Sequence, residues 1–310
     1  MRYVLFAFAL VLAACDGPAD PPEAGHVQEF GFVGVGCDLV RPGGPSSGDY
    51  LDEVAAFSTT AHLCPRGETL DAAATDLAAR IDRYAARGVR PFVDVQGLLF
   101  EPSGGVAPSG GPAVALAPTA EAVWEAFAAV LAARSGSLAA VYLADEPTWN
   151  GVPAADLAQA ARIVEATLPD VPILVVEASP ALRDLVVPPE VDWVGFDRYG
   201  VADPNADAAY LADLAALKAA RSRPDQRVAL VLDAQWLPLF EEAGLSPGDM
   251  GGVAESYAAL AARDPSVVAL VGYLWPGGLD DPEQLGAREL PAGVRETYRE
   301  IGQRVRSRRL

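Results

Sequence analysis

From residue 29 onward the chain alternates between short β-branched, aliphatic runs and longer Ala-rich runs with apolar positions every three or four residues. The short runs predict strands at 29–37, 54–60, 90–95, 138–143, 172–177, 191–197, 227–233 and 267–274. Several are apolar without a break, as in Ile173-Leu174-Val175-Val176 and Val228-Ala229-Leu230-Val231-Leu232. A strand that is apolar on both faces must be covered on both, which is the situation in a parallel sheet between helices. The longer runs predict helices. In 70–87, Leu70, Ala73, Leu77, Ile81 and Tyr84 fall on one helical face, and Gly88 ends the run. Further helices are expected from Thr119 to Arg134 and over 153–167, 207–221, 250–263 and 291–305, with Thr69, Thr119 and Ser246 as possible N-caps.

Eight strands with helices between most of them, in about 280 residues, are the arithmetic of a single (β/α)8 TIM barrel. A doubly wound open sheet is the alternative. Its dinucleotide-binding form wants a Gly-x-Gly-x-x-Gly turn after the first strand, whereas Gly31, Gly34 and Gly36 lie inside that strand. The Gly/Pro-rich stretch 101–118 reads as a loop after strand three, on the side where a barrel keeps its chemistry. No internal repeat and no second domain interrupts 30–310.

Composition narrows the partners. Hydrophobic residues make up 51% of the 310, enough for one large core. Asp and Glu number 42 against 23 basic residues, a formal charge of −19. Nucleic acid is an unsuitable partner for such a chain, because phosphate neutralisation needs clustered Lys and Arg. The two histidines, His26 and His62, leave little scope for a His-built metal site, and no cofactor is expected.

The first residues have a different pattern. Arg2 precedes an apolar run from Tyr3 to Ala14 that is too short to span a bilayer and has the form of a secretory signal. The run ends in Leu12-Ala13-Ala14-Cys15, which resembles the bacterial lipoprotein box. The resemblance implies removal of 1–14, a lipidated Cys15 and a membrane-anchored, exported protein facing the periplasm or the cell surface; a monomer is expected. Loss of Arg2 would take the charge to about −20. Residues 16–29 are rich in Pro, Gly and acids and read, with Cys15, as a flexible tether of roughly 20 Å. His26 is expected to be solvated there. Export permits a disulfide, and Cys37 and Cys64 follow the first two predicted strands. A Cys37–Cys64 bridge is expected, with two buried thiols as the alternative.

The C-terminal strand ends of a barrel surround one mouth. Here they supply Asp38, Thr60 and His62, Asp94 and Gln96, Asp145 and Glu146, Glu177, Asp197 to Tyr199, Asp233 to Trp236, and Trp275. Indole faces can stack on the C–H side of a sugar ring, and carboxylates can hold its hydroxyls. Two carboxyls can divide acid and nucleophile or base roles in glycoside hydrolysis. No phosphate loop, Cys/His metal cluster or Gly-x-Ser-x-Gly elbow competes. Asp197 beside Arg198 also fits a salt bridge, and Trp124 and Trp193 fit the core.

Four segments in barrel order are similar to the clan A glycoside hydrolases, the cellulase-like superfamily. They are Tyr142-Leu143-Ala144-Asp145-Glu146-Pro147, Asp192-Trp193-Val194-Gly195-Phe196-Asp197-Arg198-Tyr199, Leu232-Asp233 and Gly272-Tyr273-Leu274-Trp275. The resemblance implies Glu146 as acid/base, Asp233 as nucleophile or base, Tyr199 and Trp275 as sugar-positioning residues, and a saccharide as partner. Asp145, Asp197, Glu177, Trp236, His62 and Gln96 complete the expected binding set. There are two departures from the family pattern: Asp145 stands where it has Asn, and Asp233 is one methylene shorter than its Glu. A degenerate barrel that binds glycans or acts as a surface scaffold is therefore the alternative. A different barrel enzyme with an acidic metal site at Asp94, Asp145 and Asp197 is a third.

Overall fold

A computed structural model describes residues 25–41, 44–46 and 49–310, with backbone only for the described residues between 39 and 46. The expected signal, Cys15 and the tether up to residue 24 lie outside the described residues. Eight parallel strands form the centre: β1 (Glu29–Phe32), β2 (Thr60–Leu63), β3 (Arg90–Asp94), β4 (Ala140–Asp145), β5 (Ile173–Ala178), β6 (Trp193–Asp197), β7 (Arg227–Asp233) and β8 (Val267–Tyr273). The hydrogen-bonded order runs β1-β8-β7-β6-β5-β4-β3-β2. The outer two then meet: Thr59 donates to the Phe30 carbonyl at 2.9 Å, and a parallel bridge joins Gly36 to Leu63. The sheet is thus a nearly closed (β/α)8 barrel. Gly31 permits the closure, since a Cβ there would lie 2.0 Å from the Thr60 carbonyl oxygen.

Six long helices form the outer layer: α1 (Leu70–Ala86), α2 (Ala120–Ala132), α3 (Ala154–Glu165), α4 (Ala208–Ala220), α5 (Met250–Arg263) and α6 (Ala292–Arg306). Thr69 caps α1 by accepting from the Ala72 amide at 3.2 Å. Thr119 makes no capping bond, and Ser246 instead donates to Asp249. After β5 there is only a 3-10 turn, Ser179–Ala181, before the chain enters β6.

The described structure corrects three expectations. The second strand is not 54–60: Leu51–Val54 is a helical turn, and the strand begins at Thr60. Val54, Ala55 and Phe57 are buried in either conformation, and a short apolar run does not distinguish helix from strand. The first strand stops at Phe32, because the chain turns at Gly34, whose φ is +77°. The stretch 101–118 is not an open loop. It forms a hairpin of Phe100–Val106 with Pro112–Leu116, docked where Ser109 and Val114 donate to the carbonyls of Trp149 and Asn150.

Two apolar layers hold the barrel. Phe92, Tyr142, Leu174, Val176, Val231 and Val271 fill its interior, while alternate strand residues pack outward against the helices. Each fully buried aliphatic or aromatic side chain contributes roughly 1.5–3 kcal/mol. At the base of the barrel, Gly25 and Val27 donate to the carbonyls of Arg308 and Leu310, clasping the start of β1 to the end of α6. There too, Arg90 pairs with the buried Glu29.

Candidate active site

A cavity of about 510 Å³ opens at the C-terminal ends of the strands. Its polar wall is acidic: Asp94, Asp145, Glu146, Asp197 and Asp280, with His62 and Gln235. No Lys or Arg lines it among the described residues. Tyr142, Tyr199, Tyr273, Phe92, Leu239 and Phe240 supply its aromatic and apolar surface.

The end of β4 sets the centre. A register shift against β5 between Tyr142 and Ala144 re-aims the last residues of the strand. Asp145 then accepts the hydroxyl of Tyr142, and its amide donates to Gln96. Asp145 keeps surface open to the cavity yet is surrounded by protein. The resulting loss of hydration, with the charge of Asp94, pushes its carboxyl up to about 6 despite the Tyr142 bond. Glu146 follows with φ +48°, a left-handed conformation that non-glycine residues seldom adopt. It turns the chain and presents the carboxyl to the cavity.

Glu146 and Asp197 are neighbours on the cavity wall. Both lie above the ordinary carboxylate range, first because they are buried and then because each faces other carboxylates, Asp145 among them. Two acids so placed cannot both ionise cheaply, so the pair retains a proton at pH values where isolated acids have lost theirs. Asp197 also accepts from the Tyr199 hydroxyl at 3.1 Å. It does not pair with Arg198, which reaches back to Asp213 at 2.7 Å. Tyr199 and Tyr273 lie with ring centroids 5.2 Å apart, and the Tyr273 hydroxyl donates to Asp280 at 2.9 Å.

On the opposite wall, His62 stacks on Phe92 at 5.1 Å. Its Nδ1 accepts from the Gly34 amide at 3.4 Å, so its Nε2 is the nitrogen that donates to Asp94, at 3.2 Å. The Cys37–Cys64 disulfide lies beside this pair, as expected. Among the described residues, Cys37, His62 and Cys64 are the one group with metal-ligand spacing. The disulfide consumes both thiolates, and His62 Nδ1 faces a donor, so this group does not suit a metal. Asp94, Asp145 and Asp197 do not converge to that spacing.

Several expected site residues are elsewhere. Trp275 is 4% exposed, packs on Phe32 and Phe57, and donates to Glu53 at 2.9 Å. It is a core residue, and Tyr273 occupies the cavity in its place. Trp236 donates to the Leu245 carbonyl and does not line the cavity. Asp233 is fully buried behind the wall. It accepts from the Gly200 amide at 2.7 Å and from the Val201 amide, and burial raises its carboxyl to about 7. Glu177 is also fully buried and meets backbone amides, not the cavity. Gln96 acts from behind, on Asp145. The sequence reading missed Tyr142, Tyr273 and Asp280. Tyr142 and Tyr273 lie inside two of the family-like segments, three residues before Asp145 and two before Trp275. Asp280 follows Gly277-Gly278 in the loop after β8 and carries no motif.

No protein-family profile and no curated protein sequence matches the chain. Solved structures share its fold. A glucosidase from Croceicoccus marinus aligns over 92% of this chain and 68% of its own, with TM-score 0.61 and 14% identity. A thermostable mutant of a xylanase from Cellvibrio japonicus aligns over 89% and 97%, with TM-score 0.56 and 12% identity. An alpha-amylase from Geobacillus thermoleovorans aligns over 84% and 71%, with TM-score 0.52 and 14% identity. At these identities the likeness is one of fold, the TIM barrel found in glycoside hydrolases.

Proposed function

We propose that the chain is a glycoside hydrolase that cleaves O-glycosidic bonds of a saccharide in the barrel mouth. The observation that carries this reading is Glu146, a carboxyl at the end of β4 that lines an open cleft and whose proton affinity burial and neighbouring carboxylates raise above the ordinary range. A protonated carboxyl that lines a cleft can give its proton to a leaving oxygen near neutral pH. Burial and the charge of Asp145 raise its proton affinity, and Tyr199 and Tyr273 offer ring faces for a sugar. The hairpin at 100–116 does not fill the cavity.

The second carboxylate in this proposal is Asp280. Asp233 has no surface in the cleft, and Asp197 is too close to Glu146 to leave room for a sugar between them. In the strand order β4 and β8 are four places apart, on opposite sides of the ring; Glu146 follows β4, Asp280 lies in the loop after β8, and both line the cleft. Glu146 would protonate the glycosidic oxygen as its bond to the anomeric carbon breaks. Water would attack that carbon from the other face and pass its proton to Asp280. This would be the inverting arrangement, which needs the two carboxyls roughly 6.5–9.5 Å apart.

A screen of aryl glycosides and polysaccharides tests the proposal. Turnover should fall by about 10²–10⁴-fold in Glu146→Gln, and proton NMR should show the inverted anomer as first product. Turnover unaffected by Glu146→Gln would remove the acid assignment. Saccharide binding with no turnover in the parent protein would favour the glycan-binding alternative, which the burial of Asp233 and the Asp145 departure support. We also propose that the protein is exported and anchored through a lipid on Cys15, a reading supported by the Cys37–Cys64 disulfide. Labelled fatty acid should enter the parent protein and not Cys15→Ala. Label retained in the variant would refute the anchor.

A further inference from the structure

Glu177 is a fully buried acid with no cationic partner among the described ion pairs, and the mechanism above does not use it. Its surroundings are backbone. The Thr148 amide donates to Oε2 at 2.8 Å, and the Trp149 and Ala178 amides donate to Oε1 at 3.1 and 3.0 Å. Thr148 and Trp149 belong to the turn after Glu146, where the chain has left the sheet and its amides have no ladder to join. Two bonds flank this anchor: Glu146 donates to the Val176 carbonyl at 2.7 Å, and Asn150 donates to the Glu146 carbonyl at 2.8 Å. Glu146 itself is in the left-handed region, a conformation that persists only where neighbours enforce it.

We propose that Glu177 is a positioning residue: its buried carboxylate fastens the Thr148–Trp149 turn and so holds Glu146 in the backbone conformation that aims its carboxyl into the cleft. The proposal rests on the reading of Glu146 as the acid. A carboxylate suits the task because it is acceptor-only, and a glutamine would turn an NH₂ toward one of the donating amides. The negative charge of Glu177 also helps keep Glu146 protonated. Asp233 makes the matching arrangement two strands on. It binds the Gly200 and Val201 amides, just after the cleft residue Tyr199.

Glu177→Gln tests the proposal with readouts that a general stabilising role would not move. The carboxyl carbon signal of Glu146, identified by its absence in Glu146→Gln, should titrate at lower pH in Glu177→Gln. The kcat per folded molecule should drop by about a hundredfold, the cost of misplacing a reacting group by an ångström, with KM changed far less. An unmoved Glu146 titration together with an unchanged kcat would overturn the proposal. If Glu177→Gln does not fold, Glu177→Asp decides. It keeps the charge but draws the carboxylate back, so the Thr148 and Trp149 amides should exchange with solvent faster while Glu146 titrates as in the parent. Unchanged exchange would overturn the proposal. The titration and exchange readouts need no substrate, so failure to find turnover would sink the hydrolase reading and leave Glu177 still on trial.

Discussion

The two ends of the barrel treat buried charge in opposite ways. At the base, Glu29 is 1% exposed and meets the guanidinium of Arg90. At the mouth, Glu146 and Asp197 meet each other, with Asp145 beside them and no cation on the cavity wall among the described residues. A carboxylate paired with arginine is a structural solution. Carboxyls facing one another raise each other's proton affinity and give up stability, and they leave a proton available for transfer. The base is built to stay folded, and the mouth is built to hold a proton.

Breaking the base should have the larger effect on stability. Arg90→Ala strands the Glu29 carboxylate. Losing one partner of a fully buried pair costs roughly 3–5 kcal/mol, and Arg90 is half-exposed, so a cost of about 2 kcal/mol is expected by urea unfolding. Activity per folded molecule should be unchanged. Next comes pH. Asp145 and Asp233 titrate at about 6 and 7 in the folded chain, and Glu146, Asp197, Glu177 and Glu29 are also raised. Raised carboxyls favour the protonated folded state. The stability they bring is complete below the unfolded carboxylate range near 4 and is lost as pH climbs through 6 to 7 and beyond. Tm should therefore be higher at pH 5 than at pH 8; the reverse order would show that these buried acids do not strain the fold. The smallest effect sharpens the same contrast. Asp145→Asn removes one charge from the mouth, so Tm at pH 8 should rise slightly and the alkaline limb of activity should move to lower pH. A limb that stays in place would dissociate Asp145 from the acid.

The barrel could be read from the chain because its strands are apolar on both faces and its helices keep a 3.6-residue period. Three segments misled: the apolar residues around Val54–Phe57 bury equally well in a turn, the first strand ends early at Phe32, and the Gly/Pro-rich stretch after β3 pairs into a hairpin. Glu146 was legible through the Asp-Glu-Pro motif. Asp197 was harder, because its sequence neighbour Arg198 suggested an ion pair. Alternation along a strand sends the two to opposite faces, and Arg198 finds Asp213 instead. Glu177 and Asp233 looked like cleft acids for the same reason that Glu146 did: each ends a strand. Whether such an acid faces the cavity or the next turn depends on where unpaired amides fall, and that follows from register shifts and loop paths. Trp275 failed for a similar reason. The chain leaves β8 at Tyr273, and the indole two residues later meets Phe32 and Phe57.

The clasp between Gly25, Val27 and the final residues bears on how the molecule would withstand pulling through the lipid anchor proposed above. Tension entering at residue 25 would first reach these two bonds and the neighbouring end of α6. The mouth, at the far end of the strands, would be the last region to feel the load. A drag on the anchor would thus fray the seam at the base while the cleft kept its shape.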